Sequence, residues 1–235
     1  MKIILINGGD IVKFRHEYKF YLNYSDFLIL KSRLDSVLDK DKNINEHGEY
    51  KVRSLYFDNL YDKVLKEKLN GVNNREKFRI RYYNDDNSFI RLEKKTKENG
   101  MSYKVFCSIT KEECEKILEN DLEWMLESKY DLIKELYIKM KVQLLKPKTI
   151  VEYIRVPYIY SCGNVRITLD RAIRTGVYCN NLFDLDAPML PLSEEVILVE
   201  VKYDEYLPEF IRDLVDLGNH RVTAFSKYAA CRMYG

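Results

Sequence analysis

The chain has 235 residues, of which 46% are hydrophobic, and its 39 lysines and arginines nearly balance its 37 aspartates and glutamates. This length and composition exclude an intrinsically disordered chain and favour a globular fold with a sizeable core. A formal net charge of only +2 argues against a generic nucleic-acid-binding protein, which would carry a large basic excess. Any basic site must therefore arise from how the charges are distributed.

Cysteine usage and hydropathy indicate where such a chain works. The five cysteines form no C-x-x-C pair and no metal-ligand spacing, which predicts reduced thiols and a cytoplasmic location. The apolar run at residues 3–6 is too short for a signal-peptide core or a membrane span, and no later segment approaches a spanning length. We assign residues 1–11 to an N-terminal extension and residues 12–235 to a single domain.

Hydrophobic periodicity predicts the regular elements in chain order. Strands are predicted at residues 14–22, 52–58, 76–83, 88–96, 102–109, 149–158, 164–174 and 195–203. Helices are predicted at residues 26–38, 61–69, 111–119, 121–145, 208–217 and 226–233.

End signals support three of the helices. Ser25 is predicted to be the N-cap of the first helix, and Asn70-Gly71 to end the second. Thr110 and Glu113 have the spacing of a capping box at the start of the third. Antiparallel hairpins with helices grouped between them indicate an α+β fold. Eight strands can close into an antiparallel β-barrel with the helices packed outside.

Charged residues alternate with apolar residues along most of the strands. In residues 76–83, Arg79 and Arg81 share one face, opposite Phe78 and Ile80. An ordinary sheet with one wet face would also alternate. These faces, however, carry about twice as many bases as acids, and many of the bases are arginines, whose planar fork grips phosphate oxygens. Turned inward in a closed barrel, this face would line a basic tunnel suited to a polyanion.

Eight short motifs, read in order, resemble the catalytic domain of the vacuolar-transporter-chaperone (VTC) family of polyphosphate polymerases. That family belongs to the triphosphate tunnel metalloenzyme (CYTH-like) superfamily. The motifs are RHEYKF at residues 15–20, RSLYFDN at 53–59, FRIRYY at 78–83, LEKKT at 92–96, YIR at 153–155, VRITLD at 165–170, VEVK at 199–202 and FSKY at 225–228. The resemblance covers nearly the whole chain and implies the closed triphosphate tunnel fold.

The resemblance also implies an activity, in which the γ-phosphoryl group of ATP is transferred to a growing polyphosphate chain. The implied catalytic residues are Lys19, Arg79, Arg81, Lys95, Arg155 and Arg166. The implied substrate-binding residues are Lys104, Tyr153, Lys202, Ser226 and Lys227, to which we add Arg53 as a further phosphate contact. Glu200, with Glu17, would hold Mn²⁺ or Mg²⁺. The other acids on these faces are not predicted to be metal ligands. Glu93 is predicted to be an ion-pair partner of Arg91 or Lys95, and Asp170 to be either a partner of Arg166 or a turn residue.

One departure from the superfamily pattern bears on the reaction. The superfamily opens with Glu-x-Glu-x-Lys, whereas Arg15 stands at the first position here, which removes a metal ligand and favours a polymerase over a metal-rich hydrolase. Two alternatives stay open: a tripolyphosphate or organic-triphosphate hydrolase of the same fold, and a non-catalytic polyphosphate-sensing module. The expected ligands are ATP and polyphosphate, without nucleic acid. No transmembrane segment is predicted in the chain, and a membrane-protein partner stays open.

Overall fold

The computed structural model describes residues 4–5, 11–12, 15–98, 101–176, 180–193, 196–218 and 221–233. Its strands are β1 (Ile4–Leu5), β2 (Ile11–Val12), β3 (His16–Leu22), β4 (Asp39–Lys40), β5 (Tyr50–Asp58), β6 (Arg75–Tyr83), β7 (Asp86–Glu98), β8 (Met101–Ile109), β9 (Lys146–Tyr160), β10 (Val165–Gly176), β11 (Leu190–Pro191) and β12 (Ile197–Tyr203). Its α-helices are α1 (Tyr24–Val37), α2 (Lys63–Leu69), α3 (Lys111–Leu118), α4 (Asp131–Val142), α5 (Glu209–Val215) and α6 (Lys227–Met233). Two 3₁₀ turns cover Glu123–Glu127 and Cys162–Asn164.

One antiparallel sheet organises the chain and confirms the α+β prediction. Its strands follow the order β3-β12-β10-β9-β5-β6-β7-β8, with β4 added beside β9 and β11 beside β10. All eight predicted strands are members of this path. Within the described residues, β1 and β2 pair with each other and are not part of this path.

The sheet is strongly curled, but closure into a barrel is not confirmed. Five strands separate β3 from β7, which in a flat sheet would put them about 29 Å apart at about 4.8 Å per strand. Instead, the Nζ atom of Lys95 on β7 lies 3.2 Å from a carboxylate oxygen of Glu17 on β3. Among the described residues, however, the edge strands β3 and β8 form no backbone ladder with each other, which barrel closure requires.

The outer face of the sheet is apolar and covered by helices, as predicted. At one end, α1 packs Phe27, Leu30 and Leu34 against β10 and β12 residues such as Ile167 and Val199, with α5 beside it. At the other end, α3, α4 and Glu123–Glu127 cover β6, β7 and β8 through a second buried cluster. Both outer clusters are buried, so the charged residues that alternate with them along the strands face the inside of the curl.

α6 departs from the prediction that the helices lie outside. Its Tyr228 and Cys231 join a third buried cluster with the β5 residues Val52 and Tyr56 and the β9 residue Tyr153. These strand residues alternate with those of the outer clusters and so belong to the inner face. α6 packs inside the curl because the inner face of β5 and β9 carries apolar side chains that the helix covers.

Two local predictions need correction. The N-cap of α1 is Asn23 rather than Ser25, since the Asn23 side chain accepts a hydrogen bond from the Asp26 amide at 2.8 Å. The helix predicted over residues 121–145 is broken into Glu123–Glu127 and α4. The break follows from Ser128, whose hydroxyl accepts from the Tyr130 amide and so replaces a helical hydrogen bond.

Other local predictions are confirmed. Thr110 and Glu113 form a complete capping box at the start of α3. The strands predicted at 76–83 and 88–96 form a hairpin, β6–β7, whose turn residues Asn84 and Asp85 both have positive φ, as tight hairpins require. Among the described residues, no helix has both the length and the apolar character to cross a membrane. Most of the predicted extension at residues 1–11 lies outside the described residues, as do residues 99–100 between β7 and β8.

Candidate functional site

The inner face of the curled sheet gathers charged side chains from seven of its eight principal strands, because alternate residues point to it. Cross-strand pairs place Lys19 beside Glu200, Arg155 beside Asp170, and Lys77 beside Lys95. The strand residues of this inner-face basic set are Lys19, Lys77, Arg79, Arg81, Arg91, Lys95, Lys104, Arg155, Arg166 and Lys202, and α6 adds Lys227. The acids among them are Glu17, Glu93, Asp170 and Glu200. Bases therefore outnumber acids on this face.

Glu93 is the central anion among the bases of β6, β7 and β8. Its carboxylate lies 2.6 Å from Nη2 of Arg79 and 2.9 Å from Nζ of Lys104. Burial raises the pKa of Glu93, but Arg79, Arg81 and Lys104 outweigh burial and hold that pKa far below its usual range. Glu93 is thus an ion-pair partner, as predicted, but of Arg79 and Lys104 rather than of Arg91 or Lys95. It holds Arg79 in place by a charge-assisted hydrogen bond.

Arg79 and Arg81 are oriented by hydroxyl groups of neighbouring strands. Arg79 donates from Nη1 to the Tyr56 hydroxyl at 2.8 Å. Arg81 donates from Nε to Ser54 Oγ at 2.8 Å and from Nη2 to the Tyr153 hydroxyl at 3.1 Å. The structure therefore brings the predicted residues Arg79, Arg81 and Tyr153 together, with guanidinium groups held in fixed directions.

A second group joins β9, β10 and α6. Arg155 forms a bidentate pair with Asp170 at 2.6 and 2.7 Å, and Lys227 reaches the same carboxylate at 2.6 Å. Burial raises the pKa of Asp170, but Arg155 and Lys227 lower it to about 2. The Lys227 ammonium also lies 4.7 Å from the centroid of the Tyr153 ring. Asp170 is therefore an ion-pair partner of Arg155 and Lys227, and the prediction that it pairs with Arg166 was wrong.

Glu17 and Glu200 lie close together, with lysines around them. Lys19 Nζ lies 2.8 Å from Glu17 and 3.3 Å from Glu200, while Lys202 lies 3.2 Å from Glu200. Burial and the neighbouring Glu200 raise the pKa of Glu17, but Lys95, Lys202 and Lys19 outweigh them and lower it. Burial likewise raises the pKa of Glu200, and Lys202, Lys19 and Arg155 bring it well below its usual range. Both carboxylates are thus ionised at neutral pH.

The donor set at these two carboxylates can be tested against a divalent cation. Across the described ranges, no group of three or more His, Cys, Asp or Glu residues could hold a metal ion. Mg²⁺, however, is commonly bound by one or two carboxylates together with substrate phosphate oxygens. Glu17 and Glu200 fit that mode, which needs a phosphate ligand to complete the coordination.

Arg53 is the one predicted substrate-binding residue that the structure places away from the inner face. It is 2% exposed, on the outer side of β5, and it pairs with Glu152 at 2.9 Å. It also donates to the carbonyl oxygens of Leu182 at 3.0 Å and Asp184 at 2.5 Å. These contacts fasten the 180–186 segment to the sheet, so Arg53 is a structural residue and the prediction of a phosphate contact is corrected. Its face could not be inferred because β5 is buried on both sides.

The remaining predicted residues lie on or beside the inner face. Arg166 donates to Asp41 at 3.0 Å and to the Tyr50 hydroxyl at 2.9 Å. Lys95 contacts Glu17 across the open side of the curl. Ser226 immediately precedes α6, and its hydroxyl accepts from the Ala229 amide at 3.4 Å, so it caps the helix that carries Lys227.

Sequence reasoning passed over Lys77 and Tyr56. Lys77 lies opposite Lys95 and its Nζ atom is 5.4 Å from the centroid of the Tyr56 ring. The pKa of Lys77 is lowered to about 7, mainly because the side chain is buried. Lys95 and Arg79 lower this pKa further, whereas Tyr56 acts to raise it. Lys77 could have been found from its alternation with Phe78 and Arg79, whereas Tyr56 gave no signal because it lies in an apolar stretch.

Comparison with known proteins places this geometry in a family. The family model described as the VTC domain matches residues 14–234. The chain belongs to the VTC domain family. No curated protein sequence matches the chain.

Solved structures show the fold of this VTC domain more widely. HpAC1 from Hippeastrum, a candidate adenylyl cyclase described as having a dominant triphosphatase activity, is 16% identical with a TM-score of 0.55, covering 94% of this chain and 96% of its own. A candidate adenylate cyclase from Bacillus halodurans is 17% identical with a TM-score of 0.52, covering 87% and 86%. The PH1819 protein from Pyrococcus horikoshii OT3 is 14% identical with a TM-score of 0.51, covering 94% and 99%. The VTC domain thus shares the triphosphate tunnel (CYTH-like) fold, and identities this low show the fold alone.

Proposed function

We propose that this VTC domain is a metal-dependent polyphosphate polymerase that transfers the γ-phosphoryl group of ATP to the end of a polyphosphate chain. The observation that carries the proposal is the convergence of the inner-face basic set within one curled sheet, with few carboxylates among them. A linear polyanion is the ligand class that such a surface neutralises. Membership of the VTC domain family supports the same reaction.

The proposed reaction needs positioning and charge neutralisation more than covalent help from the protein. A terminal oxygen of the acceptor chain attacks the γ-phosphorus, the bond from that phosphorus to the β–γ bridging oxygen breaks, and ADP leaves. Arg79 and Arg81, held by Glu93, Ser54 and the tyrosine hydroxyls, are oriented to bind the equatorial oxygens. Arg155 and Lys227, anchored on Asp170, would bind phosphates further along the chain.

A divalent cation, Mn²⁺ or Mg²⁺, is part of the proposal. Glu17 and Glu200 would hold it together with phosphate oxygens. When bound, it would neutralise phosphate charge. Lys19 and Lys202 now contact these carboxylates, so they would turn toward phosphates as the cation binds.

The decisive experiment incubates the purified protein with ATP and Mn²⁺ and stains the products for polyphosphate after gel electrophoresis. Long chains are the expected product. Release of free phosphate without chains would overturn the polymerase and favour a hydrolase, the activity described for HpAC1. Tight tripolyphosphate binding without either product would identify a sensing module.

Arg81 provides the matching substitution. Arg81→Ala removes a guanidinium group from the centre of the site, and we expect the rate of chain synthesis to fall by about 10²-fold or more. Arg33→Ala, on the outer helix α1, is the matched control and should keep the rate. Circular dichroism of both variants separates a lost site from a lost fold, and full activity in folded Arg81→Ala would refute the assigned role.

A further inference from the structure

Two phenylalanine rings lie unusually exposed near the open edge of the sheet. Phe89 on β7 and Phe106 on β8 are 44% and 49% exposed. The guanidinium carbon of Arg91 lies 4.3 Å from the centroid of the Phe89 ring and 4.8 Å from that of Phe106. Ile90 and Leu92, which alternate with Arg91, are buried in the outer core, so Arg91 points to the inner face. Exposed rings on a charged face forgo the stabilisation of burial, which suggests that something else covers them.

Arg91 is also held differently from the other inner-face arginines. Arg79 and Arg155 pair with carboxylates, and Arg81 donates to hydroxyl groups. Within the described part of the chain, Arg91 forms no ion pair, and its Nε atom is buried without a hydrogen-bond partner. Its contacts there are mainly with the two rings, so its planar group can stack and still offer N–H donors.

The position of this cluster relates it to the phosphate site. Arg91 is the cross-strand neighbour of Arg81. Phe106 is the cross-strand neighbour of Glu93, whose carboxylate holds Arg79 and Lys104. Phe106 lies on β8, the last strand of the sheet's path, against which β2 also packs, so the rings border the phosphate-binding arginines on the side where β3 and β8 form no ladder among the described residues. A group attached to a bound triphosphate can leave the inner face there.

We propose that Phe89, Arg91 and Phe106 form a stacking platform for the nucleobase of the phosphoryl donor, with purine preferred over pyrimidine. The inference rests on the proposed function in taking a nucleoside triphosphate as donor. Planar bases stack on phenyl rings and on guanidinium planes, and the stack tolerates different bases because each has a π face. A purine offers the larger surface, so both adenine and guanine nucleotides bind more tightly than cytosine nucleotides.

The test measures binding without turnover. Isothermal titration compares β,γ-imido ATP, β,γ-imido CTP and inorganic tripolyphosphate on the wild-type protein, with metal chelated. Phe106→Leu keeps apolar bulk but removes the π face, and Phe106→Trp restores it. Phe210→Leu is the matched control, since Phe210 is 40% exposed and packs on Tyr160 on the outer, helix-covered side. We expect Phe106→Leu to raise the Kd of the ATP analogue about fivefold or more and to leave that of tripolyphosphate within about twofold.

Each outcome decides the point. Selective loss of ATP-analogue binding in Phe106→Leu, restored in Phe106→Trp, supports the platform. Equal weakening of ATP analogue and tripolyphosphate, or no change in either, overturns it, as does equal affinity of the wild type for the ATP and CTP analogues. If Phe106→Leu selectively loses the ATP analogue but the protein makes no polyphosphate, the nucleobase site stands and the polymerase is rejected. If the protein makes polyphosphate but Phe106→Leu shows no selective loss, the polymerase stands and the nucleobase site is rejected. If none of the three probes binds, both proposals are rejected.

Discussion

Some charged side chains of this VTC domain stabilise the sheet, and others are placed to bind an anion. Arg53 and Arg81 show the difference, since both are arginines on central strands and both are almost fully buried. Arg53 is paired with a carboxylate and two carbonyls on the outer side. Among the described residues, Arg81 hydrogen-bonds to two hydroxyl groups and has its nearest carboxylate, Glu93, 4.0 Å away, so much of its charge stays available for phosphate.

Arg53 should matter for stability and not for turnover. Arg53→Met leaves the buried Glu152 carboxylate unpaired, and we expect a loss of about 3–5 kcal/mol in the free energy of unfolding by urea denaturation. The double variant Arg53→Met with Glu152→Met should recover part of that loss, because it removes the orphaned charge. A stable single variant that has lost tripolyphosphate binding would contradict this view and return Arg53 to the site.

Lys77 predicts a pH dependence of anion binding. Its pKa is lowered to about 7, mainly by burial, so it is largely neutral at pH 8 in the free protein. A bound polyanion favours the ammonium form of Lys77 and raises this pKa. Anion binding above pH 7 is therefore accompanied by proton uptake, and the affinity for the anion falls as the pH rises toward 9. Burial raises the pKa of Tyr56, but Arg79, Lys77 and Arg81 lower it to about 7, which acts in the same direction.

The measurement is titration of tripolyphosphate at pH 8 in buffers of different ionisation enthalpy. Lys77→Arg, which stays charged, should take up fewer protons than the wild type and should lose less affinity between pH 7 and pH 9. Lys141→Arg, on the exposed outer helix α4, is the control and should match the wild type. Unchanged proton uptake in Lys77→Arg would refute the role of Lys77.

At the level of elements, the buried acid Asp58 helps to attach α6 to the sheet. Asp58 at the end of β5 accepts from the Val64 amide at 2.9 Å and from the Leu65 amide at 3.1 Å, both in α2. It also accepts from the Tyr228 hydroxyl at 2.5 Å. Because Tyr228 follows Lys227 directly, this carboxylate helps to fix where the Lys227 ammonium lies.

Tyr228→Phe removes the hydroxyl that donates to Asp58, keeps the ring, and should therefore loosen α6. We expect a loss of about 1.5–3 kcal/mol in unfolding free energy, the usual value of a hydrogen bond to a charged group. We also expect a severalfold rise in KM for ATP with a smaller change in kcat, because Lys227 is less well positioned. Tyr24→Phe, at a 64% exposed position, should change neither quantity. A variant with lowered stability and unaltered KM would show that Asp58 and Tyr228 serve the fold alone.

For the whole molecule, the excess of bases inside the curl means that an empty site works against folding through like-charge repulsion. A bound tripolyphosphate should raise the melting temperature. At a concentration of about 100 Kd the stabilisation is about 2.7 kcal/mol, or roughly 5–10 °C for a chain of this size. The control is sodium chloride at equal ionic strength, together with Arg81→Ala, whose shift should be smaller. A shift no larger than that of the salt would argue against an inner anion site.

The outcome for particular residues shows how far the sequence could lead. Thr110 and Glu113 were predictable because a capping box is a local hydrogen-bond pattern four residues long. Arg79 and Arg81 were predictable as inner residues because β6 alternates clearly between charged and apolar positions. Asp170 was assigned the wrong partner because its neighbour along the strand, Arg166, lies far closer in sequence than Lys227 does.

The sequence by itself determined the eight strands, the α+β class, the apolar outer faces and the ordered motifs of the VTC domain family, because these depend on local alternation and on residue order. Only the tertiary structure decided that the sheet curls with no ladder between the described parts of β3 and β8, that α6 lies inside the curl, and that Arg53 faces outward. Those features depend on contacts between strands and helices that are distant in sequence, and the periodicity of side chains along one element carries no information about such contacts.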